Sequence, residues 1–271
     1  MRAKRNGAQA QTALITGGSG GIGFQIARVL ARKGFDLVLV SRKRDALEAA
    51  AGQLEGKYGV RVHVFAADLR RSEAPQAIFD FLQNENIPIE VLVNNAGFGL
   101  LGAFADTKLQ RELEMIQVNI TALTHLTKLF LPAMIKRRSG RVLNVASTAA
   151  FQPGPLMAVY YATKAYVLSF SQALAEELRN KGVTVTALCP GPTATEFAAS
   201  ANVGKSGGRS GLFAAFGVAD ADDVAKFGVA AMMHGKRVAI PGIKNKIIAQ
   251  ASRITPRAVS TRITRMAQES R

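Results

Sequence analysis

Short continuous apolar runs alternate along the chain with longer stretches whose apolar positions recur every three or four residues. The runs lie at 12–16, 36–41, 61–66, 89–94, 141–146, 183–188 and 237–240, and most are Val/Leu/Ile-rich without polar alternation. That pattern predicts strands buried on both faces, as in a parallel sheet. Between the first two runs, Ile22, Ile26, Val29 and Leu30 mark one face of a helix over 22–33. The same reading predicts helices over 45–57, 72–84, 106–118, 120–137, 160–179 and 220–233. Strand and helix in strict alternation predict an α/β protein: a three-layer, doubly wound parallel sheet of the Rossmann type with right-handed crossovers.

Two segments break the rhythm. Residues 193–217 are rich in Ala, Gly and Ser with few anchoring side chains, and are expected to form a lid. Beyond Gly242, Ile243, Ile247, Ile248, Ala251 and Ile254 recur at helical spacing among Lys244, Lys246 and Arg253. After Thr255-Pro256, Val259, Ile263 and Met266 make a second stripe among Arg257, Arg262 and Arg265. The expected organisation is a basic tail at 1–11, one globular domain at 12–241 and a basic amphipathic tail at 242–271. The last could lie on an anionic membrane surface, or its stripes could fold against its own domain or another subunit. Both readings stay open here.

At 48% hydrophobic and 20% charged, the 271 residues can bury a sizeable core. The net charge of +16 is unevenly placed: residues 236–271 hold nine Lys/Arg against one acid, Glu269, or +8. No nucleic-acid recognition motif accompanies that charge and Trp is absent, so no nucleic-acid partner is expected. Cys189, the single cysteine, has no intrachain disulfide partner and reads as a core residue. His63, His125 and His234 are scattered without ligand-spaced companions, so no metal is expected. With no leader pattern and no uninterrupted apolar span, the expected location is cytoplasmic, with peripheral contact at the inner membrane face as the second reading.

The chemistry is concentrated at three places. Ser147 ends an apolar run, and Tyr160 follows thirteen residues later with Lys164 four beyond it. At that spacing a helix places the phenol and the ammonium on one face. A phenol beside a positive charge suits proton exchange with a carbonyl, and a serine hydroxyl can hold the same oxygen. Second, Gly17, Gly21 and Gly23 follow the first strand and open a helix, the arrangement that brings backbone N–H groups to a diphosphate. Third, the second strand ends Ser41-Arg42-Lys43-Arg44, where an NAD site would place an acid on the ribose hydroxyl. The basic cluster favours a 2′-phosphate, hence NADP over NAD.

From about residue 12 to 241 the chain resembles the short-chain dehydrogenase/reductase family, in its smaller single-domain branch. The resemblance rests on Thr16-Gly17-Gly18-Ser19-Gly20-Gly21-Ile22-Gly23, Asp68, Asn94-Asn95-Ala96-Gly97, Asn119, Ser147, Tyr160, Lys164 and 190–195, in the family's order. It implies a dinucleotide-binding oxidoreductase domain. Tyr160 would protonate the carbonyl oxygen that Ser147 steadies, and Lys164 would lower the phenol's pKa and hold the nicotinamide ribose. Asn119 would hold a water that links Lys164 to solvent. The resemblance also implies that Asp68 and Leu69 lie at the adenine, that Asn95, Ala96 and Gly97 line the adenosine side, and that Pro190, Gly191, Thr193 and Thr195 meet the nicotinamide amide and phosphates. Phe98, Phe151 and Met157 are the expected substrate walls, all apolar.

The expected activity is NADP-dependent interconversion of an apolar ketone and a secondary alcohol, in a homodimer or homotetramer. A membrane-associated 3-oxoacyl thioester reductase and a non-catalytic NADPH-binding scaffold are the alternatives.

Overall fold

The computed structural model describes residues 11–195 and 218–269, so residues 1–10 and the expected lid from 196 onward lie outside the described residues. Seven strands form one sheet: β1 (Thr12–Thr16), β2 (Asp36–Ser41), β3 (Val62–Ala66), β4 (Ile89–Asn94), β5 (Gly140–Val145), β6 (Val183–Leu188) and β7 (Val238–Ala239). Their order is β3-β2-β1-β4-β5-β6-β7, and every pairing is parallel. The helices are α1 (Gly21–Arg32), α2 (Arg44–Tyr58), α3 (Ala74–Asn84), α4 (Leu109–Ile116), α5 (Leu123–Lys136), α6 (Ala158–Glu177), α7 (Ala221–Met233), α8 (Ile243–Ile254) and α9 (Arg257–Glu269). The Rossmann-type α/β fold expected from the apolar runs is the one observed.

Alternation along each strand feeds two cores. Ala13 and Ile15 of β1 join Ile26 and Leu30 of α1 and Val224 and Val229 of α7. Leu14, one residue away, joins Ile78 and Leu82 of α3 and Leu126 and Phe130 of α5 on the opposite face. All five β1 residues are buried, which is why the run shows no polar alternation. Each such Leu or Ile contributes roughly 1.5–3 kcal/mol through burial.

The two long helices expected at 106–118 and 120–137 differ from the observed arrangement. Instead of a break, residues 117–122 form a π turn that joins α4 and α5 into one run, Leu109–Lys136. That run is long and apolar enough to cross a membrane. Its inner face is spent on the protein, because Met115, Val118, Leu123, Leu126, Phe130 and Met134 are buried.

The chain runs from β1 outward to β3, then returns to place β4 on the other side of β1. The carboxyl ends of β1 and β4 therefore flank the point where the winding reverses, where open α/β sheets bind ligands. A buried polar chain stiffens this centre. Asn94 Nδ2 donates to Thr127 Oγ1 at 3.0 Å and to Asn144 Oδ1 at 2.9 Å, and Asn144 Nδ2 donates to Ser171 Oγ at 2.9 Å. These bonds tie β4, β5, α5 and α6 together, although Asn94 Oδ1 is left buried without a hydrogen-bond partner.

Candidate active site

The loop after β1 is held shut by its neighbours. Gly17 and Gly18 donate backbone bonds to Val40 O, at 2.7 and 3.2 Å. Asn95 Nδ2 donates to Thr16 O at 2.9 Å, and the backbone amides of Asn95 and Ala96 each donate to Thr16 Oγ1 at 3.0 Å. Gly23 is pressed against this turn: a Cβ there would stand 2.2 Å from Gly17 O and 2.4 Å from Asn95 Nδ2. Gly17 and Gly21 adopt φ of +66° and +52°, the left-handed region that favours glycine.

The open side of the loop is different. Gly20 precedes α1 without capping it through a side chain, and a Cβ on Gly20 would meet nothing within 4 Å. The first-turn N–H groups of α1 thus look out beside Ser19 and Ile22, with the positive end of the helix behind them. Thr195 closes one flank, its Cγ2 lying 3.3 Å from where a Gly21 Cβ would be. These features fit a dinucleotide diphosphate.

At the end of β2, Arg42 is exposed and Ser41 Oγ is buried without a hydrogen-bond partner. The arginine is therefore open to an anion from solvent, and the Ser41 hydroxyl beside it has no protein partner. Asp68 lies near enough to feel the Arg42 charge, but both its oxygens are engaged by Arg70. The Arg70 hydrogen bond holds the Asp68 carboxyl below its usual value. Arg70 also reaches Glu114 at 3.5 Å, so Asp68 belongs to an ion-pair cluster. Leu69 is a core residue on the α3 side, which leaves only its backbone for a ligand.

Ser147, Tyr160 and Lys164 come together at the carboxyl end of β5. Ser147 caps the short 3₁₀ turn Thr148–Phe151, accepting from Ala149 N at 3.1 Å, and its side chain is hydrogen-bonded with Tyr160. Lys164 is buried, donates to Val145 O at 2.8 Å, and lies 5.8 Å from the centre of the Tyr160 ring. Burial lowers the Lys164 ammonium to about 8. Burial also raises the Tyr160 phenol above its ordinary value, with the Ser147 hydrogen bond opposing. Desolvation of the phenolate thus acts against the depression that the resemblance implies for Lys164. Near neutral pH the pair is a neutral O–H donor beside an ammonium. Cys189, whose thiol burial pushes up to about 12, stays neutral there too.

Asn119 occupies the π turn and is buried. It exchanges two bonds with the Phe98 backbone, accepting from the amide at 3.1 Å and donating to the carbonyl at 3.0 Å. Its Nδ2 also donates to Thr163 Oγ1 at 3.0 Å, one residue before Lys164. A Cβ on Gly97 would stand 3.0 Å from Asn119 Oδ1 and 3.5 Å from Lys164 Nζ, so that glycine lets the strand end approach both. The π turn places Asn119 there.

The expected substrate walls divide. Met157 is buried at the start of α6. Phe98 packs into the α3/α5 core with the Arg111 guanidinium 4.8 Å from its ring centre. Phe151 packs beside Ile240 and lines a groove with Ala249 and Lys246 of α8. On the last cofactor segment, Thr193 Oγ1 donates to Gly191 O at 2.9 Å, while Pro190 accepts from the Thr148 amide. A Cβ on Gly191 would meet Asn245 Oδ1 at 2.6 Å, which brings α8 to this segment. Thr16, Thr163 and Asn245 are supports that residue-by-residue reading of the motifs missed; Thr16 and Thr163 stood inside recognised motifs, Asn245 did not.

The fold is a doubly wound parallel sheet, and the Ser147 and Tyr160 hydroxyls meet at the carboxyl end of β5. The chain matches the short chain dehydrogenase family model over residues 11–206. It is 37% identical over 187 residues to the uncharacterized oxidoreductase YvrD of Bacillus subtilis (strain 168), covering 69% of this chain and 70% of that one. Over 190 residues it is 36% identical to the very-long-chain 3-oxoacyl-CoA reductase of Anas platyrhynchos, covering 68% of this chain but only 60% of that enzyme's length. A short-chain dehydrogenase from Sphingobium yanoikuyae, solved in complex with NADPH, superposes with a TM-score of 0.79 at 32% identity, covering 90% of this chain and 94% of that one. The chain belongs to the short-chain dehydrogenase/reductase family, oxidoreductases of CH–OH/C=O groups that bind NAD(P).

Proposed function

We propose that the protein is an NADPH-dependent reductase of an apolar ketone, working through Asn119, Ser147, Tyr160 and Lys164. The observation that carries this reading is the joined pair of Ser147 and Tyr160 hydroxyls, with a buried ammonium behind them, beside an uncapped helix N-terminus. When bound, the nicotinamide supplies the hydride.

The chain's own residues do the rest. The backbone amides of the loop and of the α1 start hold the diphosphate, and Arg42 pairs with the 2′-phosphate. Ser147 Oγ and Tyr160 Oη converge on the substrate oxygen, which orients the carbonyl and excludes water. Tyr160 gives up its proton as negative charge grows on that oxygen, and the Lys164 ammonium stabilises the resulting phenolate. Asn119 keeps Gly97 and the Lys164 turn in register.

Arg42→Asp tests the cofactor half. The KM for NADPH is expected to rise by roughly 10- to 100-fold, with that for NADH changed by less than about threefold. Equal effects on both would remove the 2′-phosphate assignment.

The 36% identity to a very-long-chain 3-oxoacyl-CoA reductase favours a second reading for the substrate, a 3-oxoacyl thioester. A panel of ketones and 3-oxoacyl thioesters, followed at the nicotinamide absorbance, ranks the two; turnover of any member also removes a non-catalytic scaffold. Leu109, Leu113 and Ile116 of α4 lie exposed near exposed Tyr166 of α6, a patch that suits a second subunit of a homo-oligomer.

A further inference from the structure

The tail carries its amphipathic pattern the wrong way round for a helix that only packs on its own protein. Among the described side chains of α9 the buried ones are polar: Ser260, Thr264 and Gln268 are 7%, 2% and 4% exposed. Thr264 Oγ1 satisfies itself on Ser260 O at 2.9 Å, and Gln268 Nε2 donates to Tyr161 Oη at 3.0 Å. The apolar residues face out instead, with Val259 47%, Ile263 56% and Met266 69% exposed. Among the described side chains of α8, Ala249 is buried and Ile248 half-buried, while Ile243 and Ile247 stand 76% and 62% exposed. These positions, 243/247 and 259/263/266, each fall on one side of a helix.

Cations border both stripes. Lys244, Lys246, Arg257 and Arg262 are exposed, and residues 243–271 contain a single acid, Glu269. We propose that the outer faces of α8 and α9 form an interfacial dock for an anionic phospholipid bilayer, with the aliphatic side chains entering the headgroup boundary and the cations meeting lipid phosphates. Long basic side chains suit that depth because their stems lie along apolar surface while their heads stay hydrated. Charge decides between this occupant and a second copy of the chain. Two tails of +6 (seven Lys/Arg against Glu269 over 243–271) would repel one another across a shared interface, whereas an anionic surface complements them.

The dock is coupled to the site by contact. Gln268 holds Tyr161, whose ring lies edge-on 6.1 Å from Tyr160, and Asn245 sits against Gly191. A bilayer under α8 and α9 would therefore lie beside the mouth through which an apolar substrate arrives. The membrane inference stands whether or not the reductase reading holds, since it is read by binding alone.

The test uses the full chain in sedimentation with phosphatidylcholine vesicles, made with or without phosphatidylglycerol. The wild type is expected to partition at least about tenfold more strongly onto the anionic vesicles, with the preference shrinking in high salt. Ile263→Glu with Met266→Glu, and separately Lys244→Glu with Arg262→Glu, should each lower that partitioning about tenfold. Thermal unfolding checks that each variant remains folded, and the charge-reversal pair decides the matter if the first pair does not fold. Equal binding to neutral vesicles, or no binding to either, overturns the proposal. So does a fall in particle mass in Ile263→Glu/Met266→Glu, seen by sedimentation velocity without lipid, because that would assign the stripe to a second copy.

Discussion

Tyr160→Phe is expected to lower kcat by roughly a hundred- to ten-thousandfold while leaving NADPH affinity within about threefold of wild type. The ring stays in place, so only the donor hydroxyl is removed. Tyr161→Phe is the matched control: its hydroxyl accepts from Gln268 of α9, and losing it should cost tail contact with little effect on turnover. The two tyrosines are adjacent and nearly perpendicular, with ring centres 6.1 Å apart, so the pair separates chemistry from packing. Near-normal turnover in Tyr160→Phe with loss in Tyr161→Phe would reverse the assignment. The wild-type pH profile carries the Lys164 contribution. Its ammonium is held at about 8 against a usual 10.5, so the charge beside Tyr160 is lost as pH rises through about 8, and kcat should decline there. Stability moves the other way: between about 8 and 10.5 the unfolded chain binds the extra proton, so this group makes the fold more stable as pH rises.

Gly23→Ala is expected to abolish measurable NADPH binding and to lower Tm by roughly 5 °C or more. A methyl group there would stand 2.2 Å from Gly17 O, and the clash is with backbone that cannot rotate away. Either the loop or the start of α1 must move, and both form the diphosphate cradle. Gly20→Ala, whose methyl meets nothing within 4 Å, should leave Tm unchanged. A Gly23→Ala protein that keeps wild-type Tm and NADPH affinity would show that the turn is not packed as described.

The fold was legible because its strands are buried on both sides, so the apolar runs mark them directly and the intervening 3.6-residue periodicity marks the helices. The glycine loop and the Ser147–Tyr160–Lys164 spacing were legible for a related reason: each needs fixed residue types at fixed separations. What stayed hidden depends on distant partners. Asp68 is the exception, since Arg70 stands only two residues away but spacing alone does not show that it takes both carboxylate oxygens, and the stretch around Asn119 reads equally as a helix break or a π turn. The tail shows the limit most clearly. Periodicity gave its apolar stripes, but which side faces the protein depends on Tyr161, which gives Gln268 a half-buried partner 107 positions away in the chain. Burial, which spacing does not report, raises the Tyr160 phenol, against the depression that the resemblance implies.

The central claim is that this cleft passes hydride from a bound nicotinamide to a carbonyl carbon held by Ser147 and Tyr160. NADPH deuterated at the nicotinamide C4 position, incubated with the purified protein and its best ketone, tests it directly. The account predicts deuterium on the carbinol carbon of the product, on one face only, and none in the Tyr160→Phe reaction over the same time. Cofactor consumed without label in an alcohol product, or label transferred equally well without the Tyr160 hydroxyl, would contradict it.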